Sequence, residues 1–324
     1  MNDPLPISLL VDDSCPLIHV YRNHQVDVHH REPKTADGRL LRETIPNDFL
    51  DRFCDVVEAH GMAGKLSIVP APAGLGDVAS GIAGHDPLLT RAWMLTAMHR
   101  LAKRFDFTPE GLTHNLAVDM ATGGFHDLGE SDWSQTQTRA ALTPYLTRQL
   151  EILKAAGVDA TGFTSPWVFG IKVEPEYIAA MMAAQQAVYG RSFSWYFLHM
   201  RHDTPDSRPW VALRDGAAVI VSVPSTVDDF FWHTIESPRT DAAYIGGIAD
   251  RILTRDGRRG GLRRVLSAGG WPVLLTHWQS LFSNGLETGL AALDEVGRRI
   301  ASLPSGTVAW RSCSELARVT ADAS

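Results

Sequence analysis

Two adjacent carboxylates, Asp12-Asp13, end an apolar run near the N-terminus, Pro6-Ile7-Ser8-Leu9-Leu10-Val11. An apolar stretch of this length bounded by turn formers reads as a buried strand. Two acids at its end repel each other unless a metal ion, a shared proton or open water relieves them. Further polar groups recur after later predicted strands. They are Thr113-His114-Asn115 running on to Asp119, with His126 beyond; Thr164-Ser165-Pro166-Trp167; and Leu275-Thr276-His277-Trp278. A lone histidine at a strand end is more often a structural hydrogen-bonding group than a ligand. Recurrence in order, at successive strand ends, is what points to a site. A hard-to-borderline divalent cation takes carboxylate oxygen and imidazole nitrogen, and leaves a position for water. Asp13, His114 and one of Asp119 or His126 could supply such a triad. Asp12 is then placed to take a proton from water, and His277 to protonate a leaving group. Those are the parts for hydrolysing an amide or an ester.

Alternating elements must position these groups. Strand patterns at 6–11, 65–70, 112–120, 160–166, 194–200, 217–223, 272–276 and 308–310 alternate with helical patterns at 46–60, 87–105, 134–156, 174–189, 240–254 and 285–303. The helix at 46–60 shows Phe49, Leu50, Phe53, Val56 and Val57 at helical spacing, with Gly61 at its end. Seven or eight strands alternating with helices predict an α/β architecture, a distorted (β/α)7-8 barrel with its chemistry at the strand C-termini. The His-rich stretch from 19 to about 45 shows no period and reads as a long loop insertion. No linker or repeat cuts the chain, so a single domain over 1–324 is expected.

Composition narrows the classes. The chain has 324 residues, 44% hydrophobic and 21% charged, with a net charge of −7, as expected of a globular protein. Lys and Arg are scattered, without the basic stripe of a nucleic-acid binder. No apolar run reaches the roughly 18–20 residues that span a bilayer, and the N-terminus lacks signal-peptide regions. Cys15, Cys54 and Cys313 are odd in number and far apart, which indicates neither a disulfide framework nor a thiolate metal site. A cytoplasmic location is the expectation; oligomeric state is left open.

In the order of its motifs the chain resembles the polysaccharide deacetylases, the NodB-homology or carbohydrate esterase family 4 superfamily, as a divergent member. Val11-Asp12-Asp13 matches the family's first motif, and Val273-Leu274-Leu275-Thr276-His277 its last. The helical stretch 134–156, Gly157-Val158-Asp159 and the stretch 163–170 are similar to the middle of the family's pattern, and Val308-Ala309-Trp310 to its final strand. The resemblance implies metal-dependent removal of an N- or O-acyl group, from a carbohydrate or another small acylated substrate. It implies Asp12 as base, Asp13 as metal ligand and His277 as acid, with a divalent ion, zinc first. Ser165, Pro166, Trp167 and Trp278 are the substrate-binding candidates. Two features depart from the family. His114 is followed by Asp119 at spacing five, where a His-x-x-x-His motif is expected. Thr164-Ser165-Pro166 stands where an arginine should orient the catalytic Asp.

Other readings stay open. A metal-free glycoside hydrolase would pair Asp12 or Asp13 with Glu130 or Asp203. A catalytically silent carbohydrate-binding member of the fold would explain the missing arginine. Trp133, Trp195 and Trp232 could also offer stacking faces, and His24, His29 and His30 could line the mouth of the site. Asp228-Asp229 reads as a helix-start feature.

Overall fold

The computed structural model describes residues 4–323. Its main sheet is built from β1 (Leu5–Ser14), β2 (Gly64–Ile68) and β3 (Phe105–Pro109), with a later strand, Val273–His277, on the other side of β1, all parallel. A short final strand, Val308–Trp310, pairs with the first half of β1. A second sheet holds β4 (Phe163–Thr164), β5 (Phe193–Phe197), β6 (Trp210–Asp215) and β7 (Ala218–Ser222) in the order β4-β5-β7-β6, with β6 antiparallel. The strand Val273–His277 is β8 and Val308–Trp310 is β9.

The two sheets touch along both edges. Isolated parallel bridges join Phe107 to Ala160 and Glu110 to Thr164 on one side, and Val227 to Leu274 on the other. The architecture is therefore mixed α/β with a parallel sheet, as expected. The strands follow the order of a barrel, but the hydrogen-bonded ladders do not close into one. β1 is buried along most of its length, which is why its run is continuously apolar rather than alternating.

Helices cover the outside. α1 (Val20–Asp27) lies inside the stretch expected to be a loop, with the His19 ring accepting a hydrogen bond from Arg22 N as its N-cap. Its low apolar content, only Val20 and Val26 among eight residues beside polar ones, hid it from periodicity. α2 (Asn47–Ala59) and α3 (Pro87–Leu101) flank β2, and α4 (Arg139–Ala155) packs on α5 (Glu174–Tyr189). α6 (Ala242–Ile252), α7 (Gly261–Ala268), α8 (Thr288–Ala301) and α9 (Cys313–Asp322) complete the set, α9 closed by a Ser312–Glu315 capping box.

The third strand is the one large displacement from the expectation. It is 105–109, not 112–120. Phe105-Asp106-Phe107-Thr108 alternates as a strand does, but it follows close on α3, and the helical pattern at 87–105 takes in its first residue. The stretch 116–118 instead forms a hairpin with Phe125–Gly129 beyond the barrel end. Among the described residues no helix is long and apolar enough to cross a membrane, and Cys15, Cys54 and Cys313 are buried free thiols.

Candidate active site

The C-terminal ends of the parallel strands converge on one cavity of about 380 Å³. Register places its first two groups. Asp12 on β1 lies directly opposite His277 on β8. The β1–β2 ladder is irregular between Val11 and Ser14, and Asp13 there takes a left-handed φ of 63°. His114 (φ 52°) and Trp167 (φ 56°) do the same. Left-handed backbone at non-glycine residues costs of order 1–3 kcal/mol each and collects at functional sites. All three line this cavity.

Asp13, Glu110 and His114 form one buried group whose candidate ligand atoms all lie within 4.8 Å of one another. His114 Nε2 stands 2.8 Å from Asp13 Oδ1 and 3.8 Å from Glu110 Oε1. The Asp13 Oδ1 atom is buried yet makes no aligned hydrogen bond. Two donor atoms that close, and not aimed at each other, suit a shared cation between them. Electrostatics agree. Burial pushes the Glu110 carboxyl up to about 8, with Asp12 and Asp13 adding to the shift. Burial opposes the charged form of His114, but Asp13 and then Glu110 hold it up at about 10. The same burial disfavours ionised Asp13, yet His114, His277 and Gln279 outweigh it and keep its pKa well below the carboxylate range. A divalent ion would displace the protons that Glu110 and His114 hold and draw the three ligand atoms to one centre. Two carboxylate oxygens and one imidazole are a hard-to-borderline donor set.

The surrounding groups fix the ligands. Glu110 Oε2 accepts from Asp13 N at 2.6 Å and from Ser67 Oγ. Gln279 Nε2 donates to Asp13 Oδ2. Glu130 clamps the loop that carries His114. Its Oε1 accepts from Leu112 N, Thr113 N and Tyr145 Oη, and its Oε2 from His114 N at 2.9 Å. Gly111 (φ +62°) is required there, because an added Cβ would lie 2.2 Å from Glu130 Oε2.

Asp12 is held by Lys65, which is fully buried on β2. The Lys65 ammonium donates to Asp12 Oδ1 and to Thr164 Oγ1 at 2.8 Å, and stands 5.4 Å from the centre of the Phe197 ring. Burial raises the Asp12 pKa, while Lys65 and then His277 pull the other way. Lys65 is the cation that meets Asp12 where the motif arginine is missing. His277 is held in turn by Asp229, whose Oδ2 lies 2.7 Å from His277 Nδ1. Asp229 also accepts from Phe231 N and Ser280 Oγ. Burial disfavours the imidazolium of His277, but Asp229 first and Asp13 next raise it to about 9.

Of the residues read from the sequence, Asp12, Asp13, His114, Ser165, Trp167 and His277 meet in the cavity. Asp119 and His126 do not. Asp119 sits in the turn of the 116–129 hairpin, half-buried, accepting from Ala121 N and Thr122 N. His126 stacks on Trp133, with ring centres 5.9 Å apart. Trp278 is fully buried among Phe49, Phe53 and Trp93, so it offers no face to a substrate. Pro166 is buried between Ser165 and Trp167. Neither proposed glycosidase partner is placed for that role. Glu130 is committed to the loop, and Asp203 is exposed and does not line the cavity.

The groups missed from the sequence are Glu110, Lys65, Asp229 and Gln279. Three had a signal. Glu110 stands four residues before His114, the ligand spacing of the His-x-x-x-His motif with an acid in first place. Lys65 opens a strand otherwise fit for full burial, where a cation needs a partner. Asp229 is half of an acidic pair close after a strand. Gln279 had no signal.

No family model matches the chain, and no curated protein matches it. Solved structures do. A "putative polysaccharide deacetylase" from Mycobacterium smegmatis is similar with a TM-score of 0.50 at 14% identity, covering 85% of this chain and 77% of that one. A 4-alpha-glucanotransferase from Thermococcus litoralis gives 0.48 at 11% identity, over 97% of this chain and 40% of that one. A CE4 family pseudoenzyme from Bacillus anthracis gives 0.40 at 10% identity, over 98% and 66%. The first of these supports a deacetylase-like fold.

Proposed function

We propose that this protein is a metal-dependent hydrolase that removes an N- or O-acyl group from a carbohydrate. The observation that carries the reading is the buried convergence of Asp13, Glu110 and His114 beside two separately oriented proton-transfer groups, Asp12 and His277. Asp13, Glu110 and His114 would hold the ion. Zinc remains the ion proposed, with manganese as its competitor, because a second carboxylate hardens the donor set. When bound, such an ion polarises the acyl carbonyl and makes a water acidic near neutral pH.

The chain's own residues do the rest. Lys65 occupies Asp12 Oδ1 and leaves Oδ2 to accept the proton of the attacking water. Burial raises the basicity of that carboxylate above the usual range. Asp229 accepts a hydrogen bond from Nδ1–H of His277 and leaves Nε2–H to protonate the departing nitrogen or oxygen. Trp167 and Trp232 supply apolar faces on the cavity wall for a sugar ring.

Asp13→Ala should lose both the metal, read by elemental analysis, and acyl hydrolysis, read by acetate release from chito-oligosaccharides. Asp12→Asn should keep the metal and lose activity by a factor of about 10² to 10⁴. An Asp13→Ala protein that keeps both properties sinks the assignment. Oligosaccharide binding without turnover in the metal-loaded protein would favour a silent binding protein instead.

A further inference from the structure

Among the described residues five carboxylates line the cavity, Asp12, Asp13, Glu110, Asp228 and Asp229, and no Lys or Arg does. Four of them have a local answer. Lys65 meets Asp12, the ion site takes Asp13 and Glu110, and His277 meets Asp229. Asp228 is left over.

Its environment orients it without cancelling its charge. Asp228 Oδ1 accepts from Asp229 N at 2.9 Å and lies 3.2 Å from His202 Nδ1. The other ring nitrogen of His202 is 2.9 Å from Ser225 Oγ. Those two contacts suit one neutral tautomer, with Nδ1–H donating to Asp228 and Nε2 accepting from the hydroxyl. Burial holds His202 below its ordinary pKa, in keeping with a neutral ring. Asp228 Oδ2 has no partner among the described residues, and the side chain is 54% exposed on the cavity wall.

Place in the chain says which part of a substrate it would meet. Asp228 adjoins Asp229, which orients His277, and Trp232 sets its ring edge-on to His277 at 4.8 Å. This is the wall of the proton donor, hence of the leaving group rather than the acyl chain. Resting on the deacylation reading above, we propose that Asp228 selects substrates by charge. The cavity takes an aminosugar chain in which a protonated free amine accompanies the acylated one, and it disfavours acidic sugars. The ammonium would donate to Asp228 Oδ2 while the sugar rings lie against Trp167 and Trp232. An acidic sugar would set its carboxylate against that of Asp228, which no cation neutralises.

The experiment is titration calorimetry on the metal-loaded Asp12→Asn protein, which does not consume its ligand, with three tetrasaccharides: one of glucosamine, one of N-acetylglucosamine and one of galacturonate. That protein should bind the glucosamine tetrasaccharide about fivefold more tightly than the N-acetylated one, an effect the size of a half-exposed ion pair. Galacturonate should bind weakest. Asp228→Asn keeps the shape and both Oδ1 contacts while removing the charge. It should erase the glucosamine preference, leave N-acetylglucosamine binding unchanged, and leave the melting temperature unchanged. The preference should also shrink with added salt. A preference that survives in Asp228→Asn, tighter binding of galacturonate, or no binding of any of the three overturns the proposal. Binding needs no turnover, so the predicted preference with no acetate release by the wild-type protein overturns only the hydrolase reading.

Discussion

Lys65 and Asp12 each tolerate burial only because of the other. An ammonium with no exposure and a carboxylate with almost none would be prohibitive alone. Lys65→Met should therefore destabilise the fold by about 3–5 kcal/mol, the usual result of stranding one member of a buried pair. The double variant Lys65→Met, Asp12→Asn should recover much of that loss in urea unfolding, without recovering activity. Where the single variant folds, loss of the nearby cation raises the Asp12 pKa further. Activity that needs ionised Asp12 then begins at higher pH, and the acid limb of kcat/KM should move up. A limb that stays put would mean that Lys65 does not tune the base. Glu110 makes a second test at this scale. Glu110→His restores two imidazoles and one carboxylate, and elemental analysis after equal exposure to zinc and manganese should show a shift toward zinc. The sequence told these residues apart unequally. Asp12, Asp13 and His277 sit where an apolar strand meets polar residues, and that junction is visible in one dimension. Lys65 and Asp229 act through partners 53 and 48 residues away, and nothing local announces such pairings.

At the scale of elements, the loop from Glu110 to Asn115 carries the site, and Glu130 carries the loop. One carboxylate accepts three backbone N–H groups and the Tyr145 hydroxyl. Glu130→Gln presents an amide N–H₂ where one oxygen accepted, so at least one buried N–H loses its acceptor at about 1–3 kcal/mol. His114 would then leave its left-handed position, and metal affinity should fall about 10- to 100-fold, as for other supports of metal ligands. Competition with a chelator measures this; unchanged affinity would show that the loop holds itself. The same loop explains why the third strand was misplaced. Its chemistry was legible from Thr113 to Asn115, and the expectation drew the strand around that chemistry. In the structure β3 ends at Pro109, and the candidate ligands Glu110 and His114 follow in irregular backbone. The turn is set by Glu130 and Gly111, through a contact made only once the 116–129 hairpin folds back. The alternation of strands and helices survived because it depends on burial patterns several residues long. The place of Glu110 beside Asp13 and His114 was not legible, because it depends on which of several acids a loop turns inward.

Across the whole molecule, the stretch after β1 is tied to the body of the fold by histidines that are buried neutral. His19 has no exposure, and burial lowers its pKa to about 4, with Arg22 contributing. Burial likewise lowers His24 to about 4, with His114 and His29 adding to it. Both rings act as neutral groups. His19 Nδ1 caps α1 by accepting from Arg22 N at 3.2 Å, and His24 Nδ1 lies 3.3 Å from His114 O. A histidine whose folded pKa lies below its unfolded value of about 6.5 binds fewer protons in the folded state. Its contribution is fully present above pH 6.5 and is lost as the pH falls through 4. For each group a gap of this size corresponds to about 3 kcal/mol between those limits. Across this window these two rings should pull down the unfolding free energy, measured by urea at pH 7, 6, 5 and 4, against an opposing gain from Glu110, whose raised carboxyl is protonated in the fold before it is in the unfolded chain. His19→Asn keeps a side-chain oxygen that can accept from Arg22 N, and it cannot titrate. Its stability at pH 7 should drop through lost packing, but its change between pH 6.5 and 4 should lack the His19 share, a loss of about 3 kcal/mol that wild type shows. Equal slopes in the two proteins would show that His19 is protonated without cost, and that docking of this segment does not depend on a neutral ring.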